Sequence, residues 1–125
     1  MKKIINTINA PAPIGPYSQA VLVDNTLYVS GQIAIHPESG QIIDETIEKE
    51  TQQVMSNISA ILTAAGMSFS NVVKSTIFLS EMDSFAKVNE VYGRYFEADF
   101  PARETVAVRT LPKNVNVEIS VIAVK

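Results

Sequence analysis

Two segments, residues 71–79 and 117–124, alternate residue by residue, and neither has a purely polar face. In the first, Val73, Ser75, Ile77 and Leu79 fall on one side, and Val72, Lys74, Thr76 and Phe78 on the other. In the second, Val117, Ile119, Val121 and Ala123 oppose Glu118, Ser120, Ile122 and Val124. A period of two predicts strands, and the mixed second face predicts a sheet with apolar surface on both sides. The chain has helices for only one of those sides. Ile47, Val54, Ile58, Ile61, Leu62 and Ala65 recur at helical spacing, with Asp44 or Thr46 as N-cap and Gly66 as C-terminal cap. Glu45, Glu48 and Glu50 read as the solvated acidic first turn of that helix. A second helix, opened by Ser80 or Asp83, turns Phe85, Val88, Tyr92, Tyr95 and Phe96 inward. Aromatics at that spacing are read as core, not as a cofactor box.

Further strands are expected at 20–23 and 26–30 around an Asp24-Asn25 turn. Ser30-Gly31-Gln32 breaks the second run, and the glycine there permits a bulge or a close backbone approach. Near the end, Phe100-Pro101-Ala102-Arg103-Glu104-Thr105-Val106 and Val117-Glu118-Ile119 flank Leu111-Pro112-Lys113-Asn114. Two β-branched runs around such a turn predict a hairpin, which brings Arg103 toward Glu118. The order β-β-α-β-α-β-β gives one α/β (α+β) domain over residues 1–125, a mixed sheet with two helices on the same face. Val72, Phe78, Ile122 and Val124 are then left on an uncovered face. A large half-apolar face predicts self-association, and Glu118 shares it, so a site there lies between subunits.

Composition narrows the chemistry. Ten basic and 13 acidic residues give a net charge of −3, which argues against nucleic acid as the main partner. There is no cysteine, hence no thiol nucleophile or thiolate metal site, and one histidine excludes a multi-histidine zinc site. That histidine, His36, precedes a proline in a polar turn and is expected to be solvated. No apolar stretch is long enough for a signal peptide or a membrane span, so a cytoplasmic protein with no membrane partner is expected. Residues 9–18 form a Pro/Gly arm, either a stiff N-terminal segment or a loop presenting Tyr17 to a cleft.

No phosphate-cradling loop, dinucleotide fingerprint or serine elbow is present. The polar residues left for a site are Tyr17, Ser30, Gly31, Asn89, Arg103 and Glu118. On residue physics alone, an arginine and a glutamate on adjacent strands are more often a cross-strand ion pair than a site.

Pro13-Ile14-Gly15-Pro16-Tyr17-Ser18-Gln19-Ala20, Ser30-Gly31-Gln32-Ile33, Phe100-Pro101-Ala102-Arg103, Leu111-Pro112 and Val117-Glu118-Ile119 occur in that order. Together with Asn57, Ala64-Ala65-Gly66 and Val88-Asn89, they resemble the reactive-intermediate deaminase (Rid, formerly YjgF-like) family over nearly the whole chain. The resemblance implies a chorismate-mutase-like fold and a homotrimer, with sheets forming a central barrel and clefts between protomers. It implies hydrolysis of 2-imino acids, notably 2-iminopropanoate and 2-iminobutanoate, to 2-oxo acids and ammonia, which protects pyridoxal-phosphate enzymes. No metal or organic cofactor is implied. By the same resemblance Arg103 matches the residue that binds the substrate carboxylate, and Glu118 the acid that positions or activates water. Tyr17, Ser30 and Gly31 match cleft residues, and Asn89 is a supporting candidate. Thr105 stands where many relatives carry cysteine, so no thiol serves this cleft, and its hydroxyl is expected to bear on substrate size. The rival expectations are a non-catalytic module that binds small carboxylates such as 2-oxo acids or regulates a partner protein, and a ribonuclease or translation inhibitor.

Overall fold

The computed structural model describes residues 1–125. Strand β1 (Lys2–Ile5) is followed by β2 (Ala20–Val23), β3 (Thr26–Gln32), helix α1 (Ile47–Ala64) and β4 (Val72–Leu79). Helix α2 (Phe85–Gly93), β5 (Ala102–Ala107) and β6 (Val117–Val124) complete the chain. The six strands form one sheet in the order β1-β2-β3-β6-β4-β5. All pairs are antiparallel except β4 with β5.

That order overturns the expected hairpin of β5 and β6. Helix α2 carries the chain back so that β5 lies parallel to β4, as a crossover connection requires. Strand β6 instead inserts between β3 and β4. Burial explains the choice. The inner residues of β6, Val117, Ile119, Val121 and Ala123, are all buried, which suits a central strand. The corresponding residues of β5 are Arg103, Thr105 and Ala107, and β5 is accordingly the exposed edge.

Both helices pack on one face. Val54, Met55, Ile58, Ile61 and Leu62 of α1 meet Leu27, Ile77, Leu79 and Ile119, all essentially without solvent contact. Burying each such side chain is worth about 1.5–3 kcal/mol. Thr46 caps α1, its Oγ1 accepting the Lys49 N–H at 3.1 Å, while Asp44 is exposed. At the other end Gly66 adopts φ +72°, and Lys125 Nζ donates to the Ala65 carbonyl at 3.3 Å.

Other expectations need correction. Glu50 is not on a solvated turn; it is completely buried. A bulge between Val72 and Lys74 reverses the alternation, burying Val72 and exposing Val73. Neither Ser80 nor Asp83 opens α2, which starts at Phe85 after a 3-10 turn over Met82–Ser84. Phe85 is exposed, and Val91 takes the buried position instead. Strand β1 lacked a clear alternating signal, because only Ile5 of its four residues is buried. Ser30-Gly31-Gln32 does not end β3 but bulges within it.

The second sheet face has no helix over it. Tyr28, Phe78, Val106 and Ile122 lie there half-buried or exposed, among Lys74, Thr76, Glu104 and Ser120. Lys74 and Glu104 bridge at 3.0 Å. No helix is long and apolar enough to cross a membrane.

A candidate active site divided between two sheet faces

On the uncovered face the proline arm, the β3 bulge and the start of β6 enclose a cleft of about 350 Å³. Gln19 makes the arm into a wall. It is buried, its Nε2 donates to the carbonyls of Thr7 (3.0 Å), Ala10 (3.3 Å) and Pro11 (2.9 Å), and its Oε1 accepts the Thr7 N–H at 2.8 Å. Prolines leave carbonyls without ladder partners, and this one amide satisfies three of them. Tyr17 is thereby held at the rim, half-exposed, its Oη accepting the Ile14 N–H at 3.3 Å. Ser30 Oγ donates to the Ser18 carbonyl at 2.6 Å and ties the arm to the bulge.

Gly31 shows why the bulge needs a glycine. A Cβ there would sit 2.6 Å from Glu118 Oε2 and 2.8 Å from its Cδ. The close approach expected at this glycine is therefore to the Glu118 carboxylate. Glu118 makes no side-chain hydrogen bond within the chain, and Ile14, Ile33, Ile35 and Pro112 supply the apolar part of its cleft. Burial pushes its carboxyl above the usual glutamate range. It combines a desolvated acid with an open cavity, the pairing expected of a group that exchanges protons.

Arg103 is on the other face. Its ladder partner is Ser75, whereas that of Glu118 is Phe78, and Ser75 points into the helix-side core. Two strand spacings and three residues separate the two Cα positions, about 14 Å. The sequence-expected approach of Arg103 to Glu118 does not occur within the protomer, and neither does the simple cross-strand ion pair. Arg103 Nη1 instead donates to Asn89 Oδ1 at 2.5 Å, and its guanidinium lies 5.2 Å from the Tyr92 ring centroid and 5.6 Å from that of Phe85. Tyr92 Oη donates to Ser75 Oγ at 2.8 Å. Burial raises the Tyr92 hydroxyl, against the opposing pull of the Ser75 bond and the Arg103 charge, so it remains a donor. Thr105 follows Arg103 on the same side of β5, and its Oγ1 is buried without a hydrogen-bond partner.

Tyr17, Ser30, Gly31 and Glu118 thus share the cleft; Asn89, Arg103 and Thr105 gather at the β5 edge. His36 belongs to neither. It is half-buried, and its Nδ1 accepts N–H groups of Glu38 (3.3 Å) and Ser39 (3.4 Å) within a turn. No cluster of three or more histidine, aspartate or glutamate side chains is placed to hold a metal. Gln19, Tyr92 and Phe85 were given no site role from the sequence. Gln19 falls within the Pro13–Ala20 motif, but nothing local marks an amide as a loop staple.

The endoribonuclease L-PSP family matches residues 7–125. The 2-iminobutanoate/2-iminopropanoate deaminase of Bos taurus is 51% identical over 125 residues, covering 100% of this chain and 91% of the bovine one. A Yersinia pestis member of the conserved Rid protein family superposes with a TM-score of 0.97 at 48% identity, with both chains fully covered. Escherichia coli TdcF, solved with bound serine, superposes with a TM-score of 0.95 at 40% identity over 98% of each chain.

Proposed function

This chain belongs to the endoribonuclease L-PSP family, which includes the Rid and YjgF proteins, and from that premise we propose that it hydrolyses 2-imino acids to 2-oxo acids and ammonia. The observation that carries the reading is the 51% identity, over the full chain, to a 2-iminobutanoate/2-iminopropanoate deaminase. Its substrates are the three- and four-carbon imines released by pyridoxal-phosphate enzymes in the cytoplasm, and clearing them protects those enzymes.

The division of the site has a consequence for assembly. Arg103 and Glu118 cannot act together within one protomer, so the working site is built from two copies, the β5 edge of one against the cleft of another. A homotrimer with three such clefts is the arrangement we favour, and the uncovered sheet face supplies the apolar surface for it. In that arrangement Arg103 anchors the substrate carboxylate. A charge-assisted bond of about 1.5–3 kcal/mol matters for a substrate with so little apolar area. Asn89 and Tyr92 hold the guanidinium in place. Water adds to the iminium carbon while Glu118 takes its proton. Glu118 then gives that proton to the carbinolamine nitrogen; as the C–N bond breaks, the carboxylate takes the hydroxyl proton, so that the 2-oxo acid forms and ammonia carries the proton away as ammonium. Tyr17, Ser30 and Gly31 shape the cleft in which this happens.

The test is a coupled assay in which a serine or threonine dehydratase generates the imine and semicarbazide traps what remains. Wild-type protein is expected to suppress trapping and the Arg103→Ala variant is not. Failure of both, with 2-oxo acids still bound, overturns the enzyme reading. One observation favours a second reading, a small-carboxylate binding module: the 40% identical TdcF was solved with serine bound. The Glu118→Gln variant separates the two, since a binding module keeps its ligand and has no turnover to lose. The family's endoribonuclease description finds little support in a chain of net charge −3 with one histidine.

A further inference from the structure

Glu50 is the one buried carboxylate that the proposed chemistry leaves unused. It lies in the first turn of α1 with no solvent contact. Its Oε2 accepts the backbone N–H of Asn116 at 2.7 Å and of Val117 at 3.2 Å, and its Oε1 accepts Asn116 Nδ2 at 2.9 Å. From the opposite side Ser80 holds the same residue: Ser80 Oγ donates to Asn116 Oδ1 at 3.0 Å, and Ser80 N–H to the Asn116 carbonyl at 3.0 Å. Asn116 is therefore gripped through its amide, its carbonyl and both ends of its side chain. Glu118 is two residues further on.

We propose that Glu50 is a positioning residue for Glu118, acting through the backbone of Asn116 and Val117. The inference rests on the reading of Glu118 as the proton-transferring acid. Three features support it. The chain enters β6 from a turn in which Lys113 and Asn114 both have φ +56°, a conformation that non-glycine residues hold only when their surroundings impose it. The same turn brings Pro112 to the cleft, so its placement matters on both sides. At Gly31 the β3 backbone approaches the Glu118 carboxylate so closely that an added Cβ would lie 2.6 Å from Oε2, so a shift of Glu118 changes that contact directly. A purely space-filling role needs only an apolar side chain at position 50. This one directs Oε2 at the peptide N–H groups of Asn116 and Val117, where the catalytic strand begins, and Oε1 at the Asn116 side-chain amide.

The test uses Glu50→Gln in the full-length protein. An amide keeps the shape but offers one acceptor where the carboxylate offers two, so a donor near Asn116 is left without its partner. We expect kcat to fall about ten- to a hundred-fold with KM held within about two-fold, as misplacement of a reacting group does. The ¹³C-carboxyl resonance of Glu118 should move as well. Glu45→Gln, an exposed change on the same helix approach, is the unchanged control. Unaltered kcat, KM and Glu118 resonance alongside a lowered Tm would reduce Glu50 to a core clamp and overturn the proposal. If wild-type protein itself fails to clear imines, the functional reading falls, and the Glu118 resonance alone decides this one. Should Glu50→Gln not fold, Ser80→Ala loosens Asn116 from its other side and must show the same kcat-specific loss, or the proposal is wrong.

Discussion

The cleft and the β5 edge are each centred on one charged side chain, and the two are treated in opposite ways. Glu118 has no side-chain partner; it is desolvated beside Gly31 and an apolar wall, and its carboxyl is raised as a result. Arg103 is surrounded by Asn89, Tyr92 and Phe85, all supplied by α2. One region makes a group reactive by removing water from it; the other makes a group precise by holding it. They lie on opposite faces with β4 between their strands, so the two groups do not meet within one protomer.

The strongest way to break this contrast is at the cleft. Glu118→Gln should lower imine hydrolysis by about 10²–10⁴-fold while 2-oxo acid binding persists, measured by coupled assay and calorimetry. In wild type the rate should fall on acidification at a pH above the ordinary glutamate range, because the acting form is the carboxylate and burial raises its pKa. The variant should lack that limb. The sign for stability is opposite. The folded state binds this proton more tightly than the unfolded one, so wild type loses stability as pH rises from the unfolded to the folded pKa, a slope the variant lacks. Glu118 is only half-buried, so the slope is shallow.

Arg103→Ala should lower kcat/KM by about 10–150-fold, the worth of one charge-assisted bond, without unfolding the chain. Mixing Arg103→Ala with Glu118→Gln subunits then tests the division directly. If the two groups meet between copies, the mixture is more active than either variant alone; if it is no more active than the average of the two, the two-copy site is wrong. Gly31→Ala should cost about ten-fold in kcat with little change in Tm, because the flexible end of Glu118 moves to make room and is misplaced by doing so. The smallest effect is at the edge. Thr105→Val removes a buried, unpartnered hydroxyl and should raise stability by about 1 kcal/mol in thermal unfolding. No gain would mean that the hydroxyl finds a partner in the assembled protein.

Much of this was legible in the order of residues because it depends on local periodicity. The inner face of β6, the buried stripe of α1, the Thr46 cap and the Gly66 terminator all follow from neighbours within a few positions. The glycine at 31 was legible as a close approach, and the second sheet face as half-apolar and without a helix over it. The motifs that carry the family resemblance contain Tyr17, Ser30, Gly31, Asn89, Arg103 and Glu118, and Thr105 marks a departure from it, so the candidates themselves are read from the sequence. What periodicity does not contain is which strand lies beside which. Residues 102–107 and 117–124 look like partners because a turn separates them, but β6 has the more apolar inner face and takes the central place, with β5 sent to the edge. That competition for burial is settled only when all six strands are present. The same is true of Glu50, which a local rule puts in water at a helix start, and which the tertiary structure buries because Asn116 and Val117, far along the chain, bring it the donors that make burial affordable.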